Sequence, residues 1–101
     1  MEINELRLKK GKELTFEEIK DFGNKLKIID DLMNECFFFS QSKFGKTSKI
    51  GREMYNRQKQ ISELRSQLDN CIYQIEISGL PENFDLMDIF YGERDYSKIK
   101  K

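Results

Sequence analysis

Cationic side chains concentrated between positions 41 and 60 are the residues of this sequence best suited to binding chemistry. This stretch holds six Lys and Arg residues against a single acid, Glu53. On a helix, cations spaced three or four residues apart share one exposed face, and such a face attracts phosphate or carboxylate groups. A tyrosine beside the row could stack on a base or another ring. The residues predicted to bind an anion or a partner are Lys43, Lys46, Lys49, Arg52, Tyr55 and Lys59.

Other interpretations of this basic stretch stay open. A row of cations on a helix is often only a solvated face without a ligand. If it has a ligand, that ligand is either an acidic protein surface or a nucleic acid or nucleotide phosphate. The isoelectric point, about 6.3, is lower than that of a dedicated nucleic-acid-binding domain. Nucleic acid is therefore kept as the alternative to a protein partner.

The C-terminal segment has the opposite chemistry. Between positions 82 and 95, aromatic and aliphatic side chains alternate with Asp and Glu, which is typical of a short amphipathic element that docks on a partner. Alternatively, a short helix here covers the open end of a helical hairpin and buries the same rings. The residues predicted for partner docking are Phe84, Met87, Phe90 and Tyr91.

The chain lacks several of the residue types that enzymes commonly use for catalysis. There is no His and there are only two Cys residues, so neither a Ser–His nor a Cys–His pair can be built, and a zinc site would need distant ligands. Neighbouring acids such as Asp30 and Asp31 would need a shielded cleft that separates their pKa values. We predict no enzymatic activity, no metal and no cofactor.

The elements that position these residues are two long amphipathic helices. Thr15 and Glu18 have the spacing of a capping box, and apolar residues then recur every three or four positions. This pattern predicts helix 1 over residues 16–39. The small, polar and Gly residues that follow predict a basic loop over 40–47.

Helix 2 is predicted over residues 48–78, with Thr47 or Ser48 as its N-cap and Gly79 and Pro81 beyond its end. Apolar residues that point away from a single two-helix seam, such as Ile28 and Phe38, indicate a homo-oligomer built on this helix. The seam follows a heptad pattern through Ile50, Met54, Arg57, Ile61, Leu64, Leu68, Cys71 and Ile75.

These elements predict an all-α fold in a single domain, 1–101: an antiparallel helical hairpin of two long helices with a short C-terminal helix over 83–91. Residues 1–13 form an N-terminal arm and residues 96–101 a loose tail. In this hairpin Cys36 and Cys71 lie on the order of 25 Å apart, so both are expected to be free thiols. Period-two alternation at the end of helix 2 leaves open a minor β pairing of residues 3–8 with 72–78.

Composition bounds the function. A chain of 101 residues with no net charge builds only a thin core. Its longest apolar run is residues 37–39, far too short for a membrane span, and no apolar leader begins the sequence, so a cytoplasmic location is expected. We expect a non-enzymatic small interaction protein, that is, a regulator, adaptor or inhibitor that binds a partner protein.

Overall fold

Two long helices make up most of the protein. The computed structural model describes residues 2–99. Helix α1 spans Phe16–Phe44 and helix α2 spans Lys49–Cys71, and the two are in contact. A short parallel strand pair and a four-residue helix complete the fold. The prediction of a mostly helical protein is therefore confirmed in its broad form.

Helix α1 begins at the predicted capping box. The Glu18 amide donates to Thr15 Oγ1 at 3.2 Å, and the Thr15 amide donates to Glu18 Oε1 at 2.9 Å. The helix continues through 40–44, which the sequence analysis assigned to the loop, because Ser40 bonds back to the Phe37 carbonyl at 2.8 Å without breaking the helix. It ends at Gly45, whose φ of 89° leaves helical geometry. The predicted loop 40–47 is therefore reduced to a linker at 45–48.

Helix α2 begins as predicted but ends early. Ser48 Oγ accepts the Gly51 amide at 3.1 Å, which confirms it as the N-cap. The helix stops at Cys71, and a 3₁₀ turn, Ile72–Gln74, leads into extended backbone. The prediction of helix to residue 78 is therefore wrong, because the alternating isoleucines of this stretch favour extended backbone.

The extended segment forms half of a small sheet. Strand β1, Leu14–Thr15, pairs in parallel with strand β2, Ile77–Ser78. The strand alternative was thus correct in part, but its partner precedes α1 directly instead of lying within residues 3–8. The arm itself is held by side chains of α2 and the turn after it: the Ile3 amide donates to Gln67 Oε1 at 2.8 Å and the Leu6 amide donates to Gln74 Oε1 at 2.8 Å.

Helix α3, Met87–Phe90, covers the end of the helix pair. It contacts both α1 and α2, and Ile89 and Phe90 are completely buried. The predicted helix over 83–91 is thus reduced to its central turn. A Cβ added at Gly23 would lie within 2.8 Å of the Ile89 carbonyl carbon, so the bare glycine lets α3 reach α1. The core consists of Phe16, Ile19, Leu26, Leu68, Ile72, Ile77, Ile89 and Phe90.

The buried side of α2 agrees with the predicted seam at Leu68 and Cys71 but not further toward the start of the helix. Arg57, placed on the seam by the heptad pattern, is exposed and pairs with Glu53 at 3.1 Å. The inward-facing positions there lie one residue after predicted seam positions, at Gly51, Gln58 and Arg65.

Residues 94–98 lie against α1 instead of forming a loose tail. Asn24 and Asp95 exchange two hydrogen bonds, at 2.9 and 2.7 Å, and the Tyr96 hydroxyl donates to Asp31 at 2.8 Å. A 3₁₀ turn, Tyr96–Lys98, follows. We call residues 94–98 the C-terminal strap. Lys100 and Lys101 of the predicted tail, and Met1 of the predicted arm, lie outside the described residues.

Both cysteines are free thiols, as predicted. Cys71 is buried, whereas Cys36 is exposed. Within residues 2–99, no helix combines the length and the apolar character that crossing a membrane requires.

Candidate interaction surface

The basic row predicted from the sequence lies at the linker between the two long helices. Its members stand in the last turn of α1, in the linker and along α2, and all are exposed. None forms a salt bridge within residues 2–99, and the acid among them, Glu53, is occupied by Arg57. The positive charge of the row is therefore not neutralised by the protein itself. We use basic row for Lys43, Lys46, Lys49, Arg52 and Lys59.

The helix dipole adds to this positive potential. Lys49 is the first residue of α2, and the first turn contains no acid. Cations at a helix N-terminus are repelled by its partial positive charge, and most helices place acids there instead. The arrangement weakens the helix slightly and strengthens the attraction for an anionic group.

Aromatic rings lie beside the row. Tyr55, which the sequence analysis proposed for stacking, is 50% exposed, and its ring centroid lies 5.8 Å from that of Phe37. The Phe37 ring is in turn 5.3 Å from that of Phe38, which is 64% exposed. We call Phe37, Phe38 and Tyr55 the aromatic cluster. It offers a partner apolar contact next to the cations.

The predicted docking residues of the C-terminal segment are placed differently from that prediction. Phe90 is completely buried, Phe84 packs edge-on against Phe16 with centroids 4.8 Å apart, and Tyr91 is half-buried. Only Met87, 54% exposed, is open to a partner. The prediction that Phe90 is free to dock on a partner is therefore wrong. Its ring is buried over the end of the helix pair, as expected if the C-terminal segment covers that end.

A buried polar network joins α1 to α2. Arg65 Nη1 lies 2.7 Å from Asp30 Oδ2, and Gln58 and Ser62 donate to the same carboxylate at 3.3 Å. The guanidinium carbon of Arg65 sits 4.8 Å from the centroid of the Tyr91 ring. This nearly buried ion pair therefore links α1 directly to α2.

This network was not predicted from the sequence. Gln58 and Arg65 are seven residues apart, which is a heptad spacing, but they lie one position after the predicted seam, on which Arg57 is the only charged residue. The repeat of polar residues one position after the seam was the signal available.

An open cavity of about 670 Å³ lies between α1 and the chain after α3. Its walls carry both acids and lysines. Lys27, only 5% exposed, donates from Nζ to the carbonyl oxygens of Asp88 at 2.8 Å and Glu93 at 3.2 Å. Burial, together with the nearby Arg94, lowers the pKa of Lys27. Through these two hydrogen bonds, the Lys27 ammonium group fastens the backbone at Asp88 and Glu93 to α1.

A second charged contact fastens the strap. Arg94 donates to both oxygens of Asp31, at 2.9 and 3.0 Å. Partial burial acts to raise the pKa of Asp31, but hydrogen bonds from Tyr96 and Arg94 outweigh it and leave that pKa below its usual value. In the part of the chain that the structure describes, no three His, Cys, Asp or Glu side chains are grouped so that they could hold a metal ion.

Comparisons of the chain with models of protein families, with curated proteins and with solved structures find no match. No activity, ligand or partner of a relative can therefore be transferred to it. The surface chemistry of the chain itself has to support a functional proposal.

Proposed function

We propose that this protein is a non-enzymatic regulator, adaptor or inhibitor that docks through the basic row and the aromatic cluster on an acidic surface of a partner protein. One observation carries the proposal: five exposed cations have no acidic partner within residues 2–99 and lie next to exposed rings. Unpaired charge steers encounter with an oppositely charged surface, and aromatic side chains supply the buried contact of many interfaces.

We infer that α1 and α2 are antiparallel, and two contacts between them support this arrangement. Asp30 contacts Ser62 and Arg65, whereas Phe37, further along α1, contacts Tyr55, further back along α2. Contact positions that rise along one helix while they fall along the other are expected of an antiparallel hairpin. The linker at 45–48 then forms one end of the molecule, and the basic row is gathered there.

The charge distribution favours a protein partner over a nucleic acid. Residues 61–95 hold eight acids against two arginines. A nucleic acid that runs along the 47 Å long axis of the protein would pass this acidic half and be repelled. A compact acidic patch on a protein surface can engage the basic row alone.

The absence of catalysis is part of the proposal. The groups that could act chemically are engaged in structural contacts: Asp30 is paired with Arg65, and Lys27 donates to two backbone carbonyls. The exposed thiol of Cys36 has no His in the chain to act as its base.

Single-stranded nucleic acid is the second candidate. Tyr55 and Phe38 expose rings beside the cations, and stacking on such rings supports sequence-tolerant binding of single strands.

Charge reversal of the row tests the proposal. A Lys46→Glu/Arg52→Glu variant should lose the partner that the wild-type protein captures from extracts of its native host, as quantified by mass spectrometry. A Lys9→Glu/Lys10→Glu variant changes net charge equally at exposed positions of the arm and should retain that partner. Equal retention by all three proteins would contradict the proposal.

Nucleic-acid binding has a separate signature. If five cations contact phosphates, log K falls with log salt with a slope on the order of −4, and each removed cation lowers the slope by about one. Labelled duplex, single strand and RNA titrated at two salt concentrations would detect this behaviour. A protein partner gives no such rule.

A further inference from the structure

Helix α1 carries a stripe of large apolar side chains that residues 2–99 leave about half exposed. The Phe22 ring makes an edge-on contact with Phe90, with centroids 6.2 Å apart, and the Phe39 ring makes one with Phe44 at 6.3 Å. At about 100° of rotation per residue, the four members fall within a sector of about 100°. They are Phe22, Ile29, Leu32 and Phe39, exposed by 46, 42, 50 and 59%. An amphipathic helix normally turns such a stripe toward a packing partner.

Helix α2 contributes a second stripe. Ile50 is 46% exposed, and Met54, Ile61 and Leu64 are half-buried at the edge of the contact between the helices. By the same rotation these four residues also share one sector.

Both stripes lie on the same side of the hairpin. On each helix, rotation in the direction of increasing residue number passes first through the stripe and then, about 100° later, through the residues that contact the other helix. When two antiparallel helices are viewed from the same end, this rotation runs clockwise in one and anticlockwise in the other. The two stripes therefore lie on the same side of the hairpin. The other side of α1 is occupied, since Asn24 and Asp31 hold the C-terminal strap there. We call the side formed by the two stripes the open apolar face.

We propose that the open apolar face binds a second copy of this chain and forms a symmetric dimer of hairpins, a four-helix arrangement. Two hairpins that each present one apolar side can bury both sides by facing each other, as in four-helix bundles. The interaction is separate from docking at the basic row, so either proposal can fail without the other.

The area of the face fits this occupant. With side chains of roughly 150–250 Å² each, the four residues of α1 and Ile50 expose on the order of 450 Å² of apolar surface. A stable interface buries roughly 800 Å² per partner, of which somewhat over half is apolar. The exposed apolar area of the face is therefore about equal to the apolar area that one partner buries in a standard interface. Polar residues around the face would supply the rest of the buried area.

The charges of the face fit a second copy better than a charged partner. Two cations within the stripes are neutralised from within their own helix: Lys25 pairs with Asp21 at 2.9 Å and Arg57 pairs with Glu53 at 3.1 Å. Lys43 has the same helical angle as Lys25 but lies one turn beyond Phe39, at the linker end of the face, and has no such pair within residues 2–99. Along the length of the α1 stripe, two identical faces can therefore meet without repulsion between like charges.

Light scattering tests the dimer with the full chain. The wild-type protein is expected to have twice the 12.1 kDa chain mass at tens of micromolar. Leu32→Glu should weaken the dimer by at least roughly 30-fold, the effect of a central interface residue. Because Leu32 is exposed in the single chain, the far-UV circular dichroism of the Leu32→Glu protein should equal that of the wild type. Phe38→Glu, a control in the aromatic cluster and off the face, should leave the mass unchanged.

Alkylation of Cys36 provides a second measurement. Cys36 is exposed in the single chain and lies within the stripe of α1, whereas Cys71 is buried and serves as an internal reference. The rate of Cys36 alkylation should fall as the protein concentration rises, and Leu32→Glu should abolish that fall. A wild-type monomer up to several hundred micromolar, or a dimer that survives Leu32→Glu, would overturn the proposal.

Discussion

Replacing Gly23 by alanine tests how α3 is held. A Cβ at this position would lie 2.8 Å from the carbonyl carbon of Ile89 and closer still to its oxygen, whereas ordinary contact begins at 3.4 Å. Both atoms belong to the backbone, so no side-chain rotation relieves the overlap. Helix α3 would have to withdraw from α1, and it carries two completely buried side chains, Ile89 and Phe90.

The expected free-energy change has two opposing parts. Alanine in place of glycine inside a helix stabilises by about 1 kcal/mol. Withdrawal of α3 would expose about half of two side chains whose full burial contributes roughly 1.5–3 kcal/mol each, and a forced overlap in a core typically costs about 1–3 kcal/mol. With the middle of each range, Gly23→Ala should destabilise the protein by a net amount of about 3 kcal/mol, which lowers Tm by roughly 12–24 °C for a domain of this size.

Urea denaturation followed by far-UV circular dichroism measures this change. All samples must share one protein concentration, because a dimer gains stability with concentration. Asn34→Ala, at an exposed position of α1, is the matched control and should stabilise by about 0.5 kcal/mol through helix propensity alone. A Gly23→Ala protein as stable as the wild type would refute the close contact between α3 and α1.

Three further changes should act at named contacts. Arg65→Met should cost about 3–5 kcal/mol in urea denaturation by leaving the Asp30 carboxylate buried without its cation, and adding Asp30→Leu should recover most of that loss. Thr15→Ala should cost about 1 kcal/mol in the same assay by removing the N-cap of α1. Because the folded pKa of Asp31 lies below the ordinary 3.8, its contribution is complete above that value and is lost as pH falls through the lower folded pKa. Protection factors around Tyr96, that is, exchange rates corrected for the intrinsic pH dependence of amide exchange, should therefore fall only below about pH 3.8, and unchanged protection factors at lower pH would contradict this sign.

The ends of the long helices show what local sequence can predict. The capping hydrogen bonds of Thr15 and Ser48 join residues three positions apart, so their geometry follows from neighbouring residues alone. Helix α1 ends at Gly45, because this residue adopts a positive φ that is incompatible with a helix. Polar residues such as Ser40 remained helical because their side chains bond to the preceding turn.

The packing of α2 could not be predicted in the same way. Gln58 and Arg65 face inward because Asp30, which is distant in sequence, accepts a hydrogen bond from Gln58 and forms an ion pair with Arg65. A pattern that counts apolar residues assigns such positions to solvent. Burial of Phe90 likewise depends on a close approach at Gly23, which no spacing within residues 82–95 reveals. Exposure of the basic row was predictable, because isolated lysines rarely enter a core.

The treatment of cations elsewhere in the chain strengthens the case for the basic row. Where a cation is buried, the fold gives it a partner: Arg65 meets Asp30, and Lys27 meets two backbone carbonyls. Where a cation borders the open apolar face, an acid one turn away neutralises it, as Asp21 does for Lys25. Three members of the basic row, Lys46, Lys49 and Arg52, have no salt bridge within residues 2–99, although they stand in the linker or the first turn of α2, where positive charge is unfavourable. The proposed acidic partner surface would supply the missing counter-charge at this helix end.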